Sequence, residues 1–160
     1  MKKIFIISII VTLNLYANST NITKVVVKKS QKVLLLMSKD KIINRFHISL
    51  GGNPKGHKVK QGDQKTPEGN YTLDYKNSNS HFYKSIHISY PNKKDKQRAK
   101  KLGVNPGGDI FIHGQKNGLG WLYFLSRFFN WTEGCIAVSN SDMDIIWSKV
   151  KVGTPIEIKP

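Results

Sequence analysis

Short segments rich in β-branched and aromatic residues, separated by turn-forming residues, constrain the fold of this chain most strongly. Such segments favour strands because branched and aromatic side chains pack well on a pleated sheet. Seven of them are predicted to be strands: residues 24–28, 33–38, 41–50, 70–75, 85–90, 109–113 and 155–158. The sequence therefore predicts a mainly β fold with a few helices at its periphery.

Two helices are predicted with defined ends. Asn92 can cap a helix over residues 93–102, because an N-cap asparagine accepts hydrogen bonds from the free N–H groups of the first turn. Gly103 suits the position just after that helix, where a left-handed backbone is common. Ser141 can cap a second helix, in which Met143 begins an apolar stripe at helical spacing.

The N-terminus is predicted to be a secretory signal peptide over residues 1–17. Two lysines precede the apolar stretch 4–15, and the small Ala17 suits the last position before cleavage. The stretch is too short to span a bilayer, so no stable membrane insertion is expected, although an uncleaved anchor is the alternative. We therefore expect export to the periplasm or cell envelope of a bacterium, and residues 18–160 remain as one domain.

The chain is strongly basic, with a formal net charge of +16. A basic surface attracts polyanions, and in a cell envelope these are cell-wall carboxylates and envelope phosphates. No nucleic-acid-binding motif accompanies the charge, so no nucleic-acid partner is predicted. The five histidines show no metal-ligand spacing, and neither a metal nor another cofactor is predicted.

Cys135 is the only cysteine, and exported proteins usually pair their cysteines. His113 ends an apolar segment 22 positions earlier, while Cys135 follows Gly134 at the start of another. If the two segments are neighbouring strands, the imidazole can activate the thiol as a nucleophile. The N–H groups of Gly134 and Cys135 would then face a developing oxyanion. A buried structural cysteine and a structural histidine are the alternative.

These residues resemble the signature of the L,D-transpeptidase catalytic domain, or YkuD, family. The family has His-Gly, a gap, and then Ser/Thr-His-Gly-Cys; this chain has His113-Gly114 and, after a gap, Thr132-Glu133-Gly134-Cys135. The resemblance extends upstream to the glycine-rich residues 51–56 and to Thr-Pro-Glu-Gly at residues 66–69. It covers nearly all of the predicted mature chain, about residues 23–159.

The resemblance implies a β-sandwich-like sheet assembly and a reaction on peptidoglycan stem peptides. It implies that Cys135 is the nucleophile, that His113 is the base, and that the Gly114 carbonyl orients the imidazole. The enzyme would attack the bond after the third residue of the stem, a diamino acid, and release the terminal D-alanine. It would then pass the acyl group to an amine, without a metal or an organic cofactor.

Two positions depart from the family pattern. Glu133 replaces the histidine before Gly-Cys, and this carboxylate would either orient a substrate ammonium, hold an imidazolium, or simply be a solvated loop residue. Ala137 stands where the family commonly has arginine or asparagine. A carboxylate-binding contact is therefore missing or is supplied elsewhere, for which Arg127 is the candidate.

Aromatic residues fill the gap between the two motifs, with six in the eleven positions 121–131. Helical spacing predicts a third helix over residues 119–129, with one face more suited to the core than to a ligand site. The remaining rings would form a flap over the thiol, and excluding water there would favour aminolysis. Trp131, Tyr123 and Arg127 are therefore candidates for substrate contact.

Three functions remain open. The favoured one is a cell-wall cysteine transpeptidase, whose acceptor is another stem peptide or the lysine of an envelope protein. The second is a hydrolase on the same scaffold, either an L,D-carboxypeptidase or an amidase that cleaves cross-links or releases lipoprotein. The third is a non-catalytic wall-binding protein, against which the intact pair of His113 and Cys135 argues.

Overall fold

The computed structural model describes residues 21–160, so the predicted signal peptide lies outside the described residues. All seven predicted strands are present, and an eighth short strand precedes the last helix. They are β1 Lys24–Lys28, β2 Val33–Ser38, β3 Lys41–His47, β4 Gly69–Ser80, β5 Tyr83–Ile88, β6 Ile110–His113, β7 Ile136–Ala137 and β8 Thr154–Lys159. The prediction of a mainly β fold is confirmed.

The eight strands form one sheet in the order β3-β2-β1-β8-β4-β5-β6-β7. The last strand, β8, lies in the middle: Ile156 is opposite Val25 in the parallel pair with β1, and opposite Tyr71 in the antiparallel pair with β4. The chain end therefore joins the N-terminal strands to the strands that carry the functional motifs.

One main core lies against the sheet, because alternate residues of a strand point to the same face. Val25 and Val27 of β1 are fully buried in this core, as are Ile112 of β6 and the helical residue Ile146. Burial of such a side chain stabilises the fold by roughly 1.5–3 kcal/mol. The strands that hold the two motifs are thus anchored from their buried face.

Helix α1, Lys93–Lys101, is capped as predicted. The Asn92 side chain accepts hydrogen bonds from the first turn, and the Asp95 carboxylate accepts one from the Asn92 N–H, which completes a capping box. Leu102 is the C-cap, and Gly103 follows it with a φ of +64°. The predicted C-terminal glycine is therefore confirmed.

Helix α3, Asn140–Lys149, begins earlier than predicted. Its N-cap is Ser139, whose Oγ accepts from the Asp142 N–H at 3.0 Å, whereas the predicted cap Ser141 only shares a hydrogen bond with that hydroxyl. Two serines two positions apart both fit the capping pattern, and local sequence does not separate them. Met143 is buried as predicted.

The segment predicted as a third helix, residues 119–129, is only partly helical. It contains a 3₁₀ turn, Gly120–Leu122, and one α-helical turn, α2 Tyr123–Ser126. No side chain caps either piece, and aromatic residues are weak helix formers. The expectation that its apolar face packs in the core is wrong, because Trp121 and Phe128 are 68% and 67% exposed.

No helix within residues 21–160 combines the length and the apolar character that crossing a bilayer requires.

Candidate active site

Strands β6 and β7 bring the two motifs together. They are parallel neighbours, with His113 opposite Ala137. The Val138 N–H donates to the His113 carbonyl at 2.9 Å, which fixes this register. Cys135 directly precedes β7 and therefore lies beside the middle of β6. The expectation of two adjacent strands at the motifs agrees with this arrangement.

Cys135 and His113 line the same cavity, which has a volume of about 480 Å³. Its walls come from the β4–β5 hairpin, from β6 and from the loop before β7. The lining residues are Asn77, Asn79, Ser80, His81, Phe82, Ser85, Asp109, Phe111, His113, Trp131, Thr132, Glu133 and Cys135. Within the described part of the chain, this lining has two carboxylates and no lysine or arginine.

The His113 imidazole is buried and held in one orientation. Its Nδ1 lies 2.6 Å from the Gly114 carbonyl oxygen, which can only accept, so Nδ1 carries the proton and Nε2 is the basic nitrogen. The rings of Phe82 and Trp131 lie 4.7 Å and 5.9 Å from the imidazole. Burial lowers the pKa of His113 to about 4, although the bond to Gly114 opposes this shift.

The Cys135 thiol has two backbone partners, one on β6 and one directly before it. The Phe111 N–H donates to Sγ at 3.4 Å, and the thiol lies 3.6 Å from the Asp109 carbonyl oxygen, which can accept its proton. Burial raises the pKa of Cys135; the Phe111 N–H lowers it, and the Asp109 carboxylate raises it further. In residues 21–160 no hydrogen bond joins this thiol to His113. The raised pKa of the thiol and the lowered pKa of the imidazole both favour the neutral forms of the two groups at neutral pH.

The loop before the thiol is braced by Thr132. Its hydroxyl donates to the Cys135 carbonyl at 2.7 Å and accepts from the Gly134 N–H at 3.2 Å. Gly134 has a φ of +128°, and a Cβ there would lie 2.6 Å from the Lys65 carbonyl oxygen. Since the Gly134 N–H is already bonded, the Cys135 N–H, which has no partner within the described residues, is the available donor for an oxyanion.

A segment after β3 clamps both sides of this loop. Ser49 and Ala137 exchange two backbone hydrogen bonds of 2.9 Å, and the Gly52 N–H donates to the Thr132 carbonyl at 3.0 Å. Gly51 lies between these bonds, where a Cβ would be 2.1 Å from the Gln64 carbonyl oxygen. The close backbone approach explains why glycine is needed in this stretch of the sequence.

Glu133 lies at the cavity wall, where its Oε1 accepts from Gln64 Nε2 at 3.1 Å. It makes no hydrogen bond to His113 among the described residues, so this carboxylate is not placed to hold an imidazolium. Its position suits the other two interpretations, a partner for a substrate ammonium or a solvated loop residue.

Only one of the three predicted substrate-contact residues lies at the cavity. Trp131 lines the cavity, but Tyr123 and Arg127 do not. The Arg127 carbonyl instead contacts the His47 ring at 2.8 Å, which holds residues 119–129, here called the aromatic segment, toward β3. The expected flap therefore does not cover the thiol.

Sequence reasoning missed two aromatic side chains that shape the cavity. Phe111 is two positions before His113 on β6, so strand alternation alone places it on the same face. Phe82 reaches the imidazole from the turn between β4 and β5, and no local pattern indicates that contact. In residues 21–160 no three His, Cys, Asp or Glu side chains are grouped to hold a metal ion.

Comparison with known proteins agrees with this geometry. The model of the YkuD family, described as the L,D-transpeptidase catalytic domain, matches residues 22–158. No curated protein matches the chain.

Solved structures with the same fold include three proteins of bacteria. The helical cell shape determining protein Pgp2 from Campylobacter jejuni is 27% identical, with a TM-score of 0.65 over 88% of this chain and 49% of that one. Bd1075 from Bdellovibrio bacteriovorus is 21% identical, with a TM-score of 0.61 over 89% and 49%. The L,D-transpeptidase from Mycobacterium smegmatis is 16% identical, with a TM-score of 0.55 over 86% and 58%. The chain spans about half the length of the first two.

Proposed function

The chain belongs to the family of L,D-transpeptidase catalytic domains, and we propose that it is an exported cell-wall transpeptidase that acylates Cys135 with peptidoglycan stem peptides. The observation that carries this proposal is that Cys135 and an oriented His113 line one cavity. Likeness to Pgp2, a cell shape determining protein, supports a role on peptidoglycan in the cell envelope.

The first half-reaction forms a thioester. The Cys135 sulfur attacks the carbonyl carbon of the third stem residue, while His113 Nε2 takes the thiol proton. The resulting oxyanion accepts a hydrogen bond from the Cys135 N–H. The intermediate collapses as the C–N bond breaks, and His113 returns the proton to the leaving amine of D-alanine.

The second half-reaction regenerates the thiol. An acceptor amine attacks the thioester carbonyl and gives its proton to His113, and the sulfur leaves and is reprotonated. Because both groups are neutral at rest, His113 acts as a general base during attack rather than as half of a preformed ion pair. A positioned base of this kind contributes roughly 10²–10⁴-fold to the rate, and one oxyanion donor contributes about 10²–10³-fold.

The charge of the cavity supports an amine-bearing substrate. Asp109 and Glu133 place two carboxylates in the lining of a chain whose net charge is +16. Opposite charges attract most strongly where water is partly excluded. We propose that these carboxylates orient the ammonium group of a diamino acid, either of the donor stem or of an acceptor, and that Glu133 is the more direct contact because it is held by Gln64.

Hydrolysis on the same scaffold is the second candidate, and one observation favours it. None of residues 119–129 lines the cavity, so this segment does not shield the thioester from water. In that case the same acyl-enzyme yields a shortened stem peptide rather than a cross-link.

Incubation of the protein with purified tetrapeptide muropeptides tests the proposal. Mass spectrometry should detect loss of D-alanine together with a new amide to a second stem, and a shortened stem as the sole product would assign a carboxypeptidase. The Cys135→Ala variant is the control. Unchanged muropeptides after incubation with the folded wild-type protein would contradict the proposal.

A further inference from the structure

The segment between the two motifs presents apolar side chains to solvent. We call the following residues the aromatic patch: Leu119, Trp121, Phe124, Leu125, Phe128 and Phe129. Each is between 41% and 68% exposed. Contiguous exposed apolar surface on a soluble domain usually marks an interaction site.

A basic cavity adjoins the aromatic patch. Its volume is about 410 Å³, and its walls include Lys29, Lys32, Lys55 and Glu68. Lys29 pairs with Glu68 at 2.9 Å, whereas the ammonium groups of Lys32 and Lys55 form no ion pair within residues 21–160. Lys32 joins the two features, because its Nζ donates to the Phe128 carbonyl at 3.5 Å.

The charged side chains of the segment that bears the aromatic patch have one sign. Residues 110–132 contain Lys116 and Arg127 and no acidic residue. The Arg127 guanidinium lies 5.5 Å from the centre of the Phe128 ring, so a cation accompanies the exposed rings. Tryptophan, phenylalanine and leucine beside lysine and arginine are typical of segments that lie in a membrane interface. Lysine, in contrast, is depleted in protein–protein interfaces.

We propose that the aromatic patch and the basic cavity dock this protein on the surface of a bilayer that contains anionic phospholipids. The rings would enter the headgroup region, while Lys32 and Lys55 bind lipid phosphates. This is contact with the interface and not insertion of a spanning helix. It rests on the proposed location in the cell envelope.

Docking would also place the catalytic cavity relative to the membrane. The Ser126 carbonyl of the aromatic segment accepts from Ser49 Oγ at 3.2 Å, and Ser49 is the residue that pairs with Ala137 beside the thiol. The docked enzyme would therefore work on wall material close to the bilayer.

Sedimentation with vesicles tests the docking. The probes are phosphatidylcholine vesicles with and without phosphatidylglycerol, and every protein carries the same N-terminus. We expect wild-type protein to bind the anionic vesicles. The double variant Trp121→Ser/Phe128→Ser should bind at least about tenfold more weakly, since two large apolar side chains no longer enter the interface. The double variant Lys32→Gln/Lys55→Gln should bind the anionic vesicles about tenfold more weakly or worse, because each lysine near an anionic surface contributes about 1 kcal/mol to binding.

Matched variants elsewhere control for bulk charge and hydrophobicity. Lys94→Gln/Lys96→Gln removes two exposed lysines of α1, and Leu102→Ser/Val152→Ser removes two exposed apolar side chains; both should bind as wild type. Brominated lipids should quench tryptophan fluorescence in wild type but much less in Trp121→Phe.

Three results would overturn the proposal. The first is that the wild type does not bind anionic vesicles, and the second is that Lys94→Gln/Lys96→Gln weakens vesicle binding as much as Lys32→Gln/Lys55→Gln does. The third is a wild-type dimer that binds no vesicles and that Trp121→Ser/Phe128→Ser converts to a monomer. Acylation of Cys135 by a carbapenem, measured on the same variants, reports the proposed enzymatic function separately.

Discussion

His113 should make the stability of the protein depend on pH in a way that its burial predicts. The pKa of this imidazole is about 4 in the folded protein and about 6.5 when unfolded. Because the unfolded state binds the proton more readily, the stability from the neutral imidazole is fully present above about pH 6.5 and is lost as the pH falls toward 4. Between pH 7.5 and pH 5, at about 1.36 kcal/mol per pKa unit, the free energy of unfolding should fall by about 2 kcal/mol on account of this group.

The variant His113→Asn isolates that contribution. Its side-chain amide can still donate to the Gly114 carbonyl but does not titrate, and all other ionisable groups are shared with the wild type. In urea unfolding, the free energy of unfolding of the wild type should fall between pH 7.5 and pH 5 by about 2 kcal/mol more than that of the variant. Equal losses in the two proteins would show that His113 is not held neutral by burial, and the reasoning about its basicity would be wrong.

Three substitutions test the parts of the site separately. Thr132→Val should lower the free energy of unfolding by about 1–3 kcal/mol, because the carbonyl of Cys135 loses its buried hydrogen-bond donor. Thr132→Ser keeps the hydroxyl and should retain most of the wild-type stability in the same urea assay. Phe82→Ala should admit water to His113, raise its pKa toward 6.5 and shift the acidic limb of the pH–rate profile upward by about one unit; an unchanged limb would exclude Phe82 as a positioning residue. Glu133→Gln should raise KM for stem peptides severalfold while sparing acylation by a carbapenem if the carboxylate binds an ammonium, and no change in KM would leave it as a solvated loop residue.

Several features that depend on neighbouring residues are predictable from the sequence, although the choice between Ser139 and Ser141 as the N-cap of α3 is not. The Asn92 cap is predictable because an asparagine side chain accepts hydrogen bonds from the first turn of the helix that follows it, and the structure adds Asp95 to that cap. The adjacency of β6 and β7 is predictable because one apolar segment ends at His113 and the other begins at Cys135, and the two residues must meet to act together. Strand positions were similarly local, since β-branched runs need little more than a turn at each end.

Features that depend on distant packing were not predictable. Residues 119–129 have helical spacing, but periodicity does not show whether a surface exists to bury the apolar face, and here it stays exposed. Phe82 contacts His113 from the turn of the β4–β5 hairpin, whose pairing shifts register twice, after Leu73 and after Asn77. A bulge moves a side chain to the other face of a sheet without any clear signal in a single sequence.

Intact-protein mass spectrometry after treatment with a carbapenem tests most directly whether the Cys135 thiol forms an acyl-enzyme. We expect one added carbapenem mass on the wild type, located on Cys135 by peptide mapping, and none on Cys135→Ala, which changes only a thiol to a hydrogen on the β-carbon. The variant His113→Ala should acylate at least about a hundredfold more slowly, because the positioned base is lost. An adduct of the same mass on folded Cys135→Ala, or no adduct on the wild type, would contradict the assignment of Cys135 as the nucleophile.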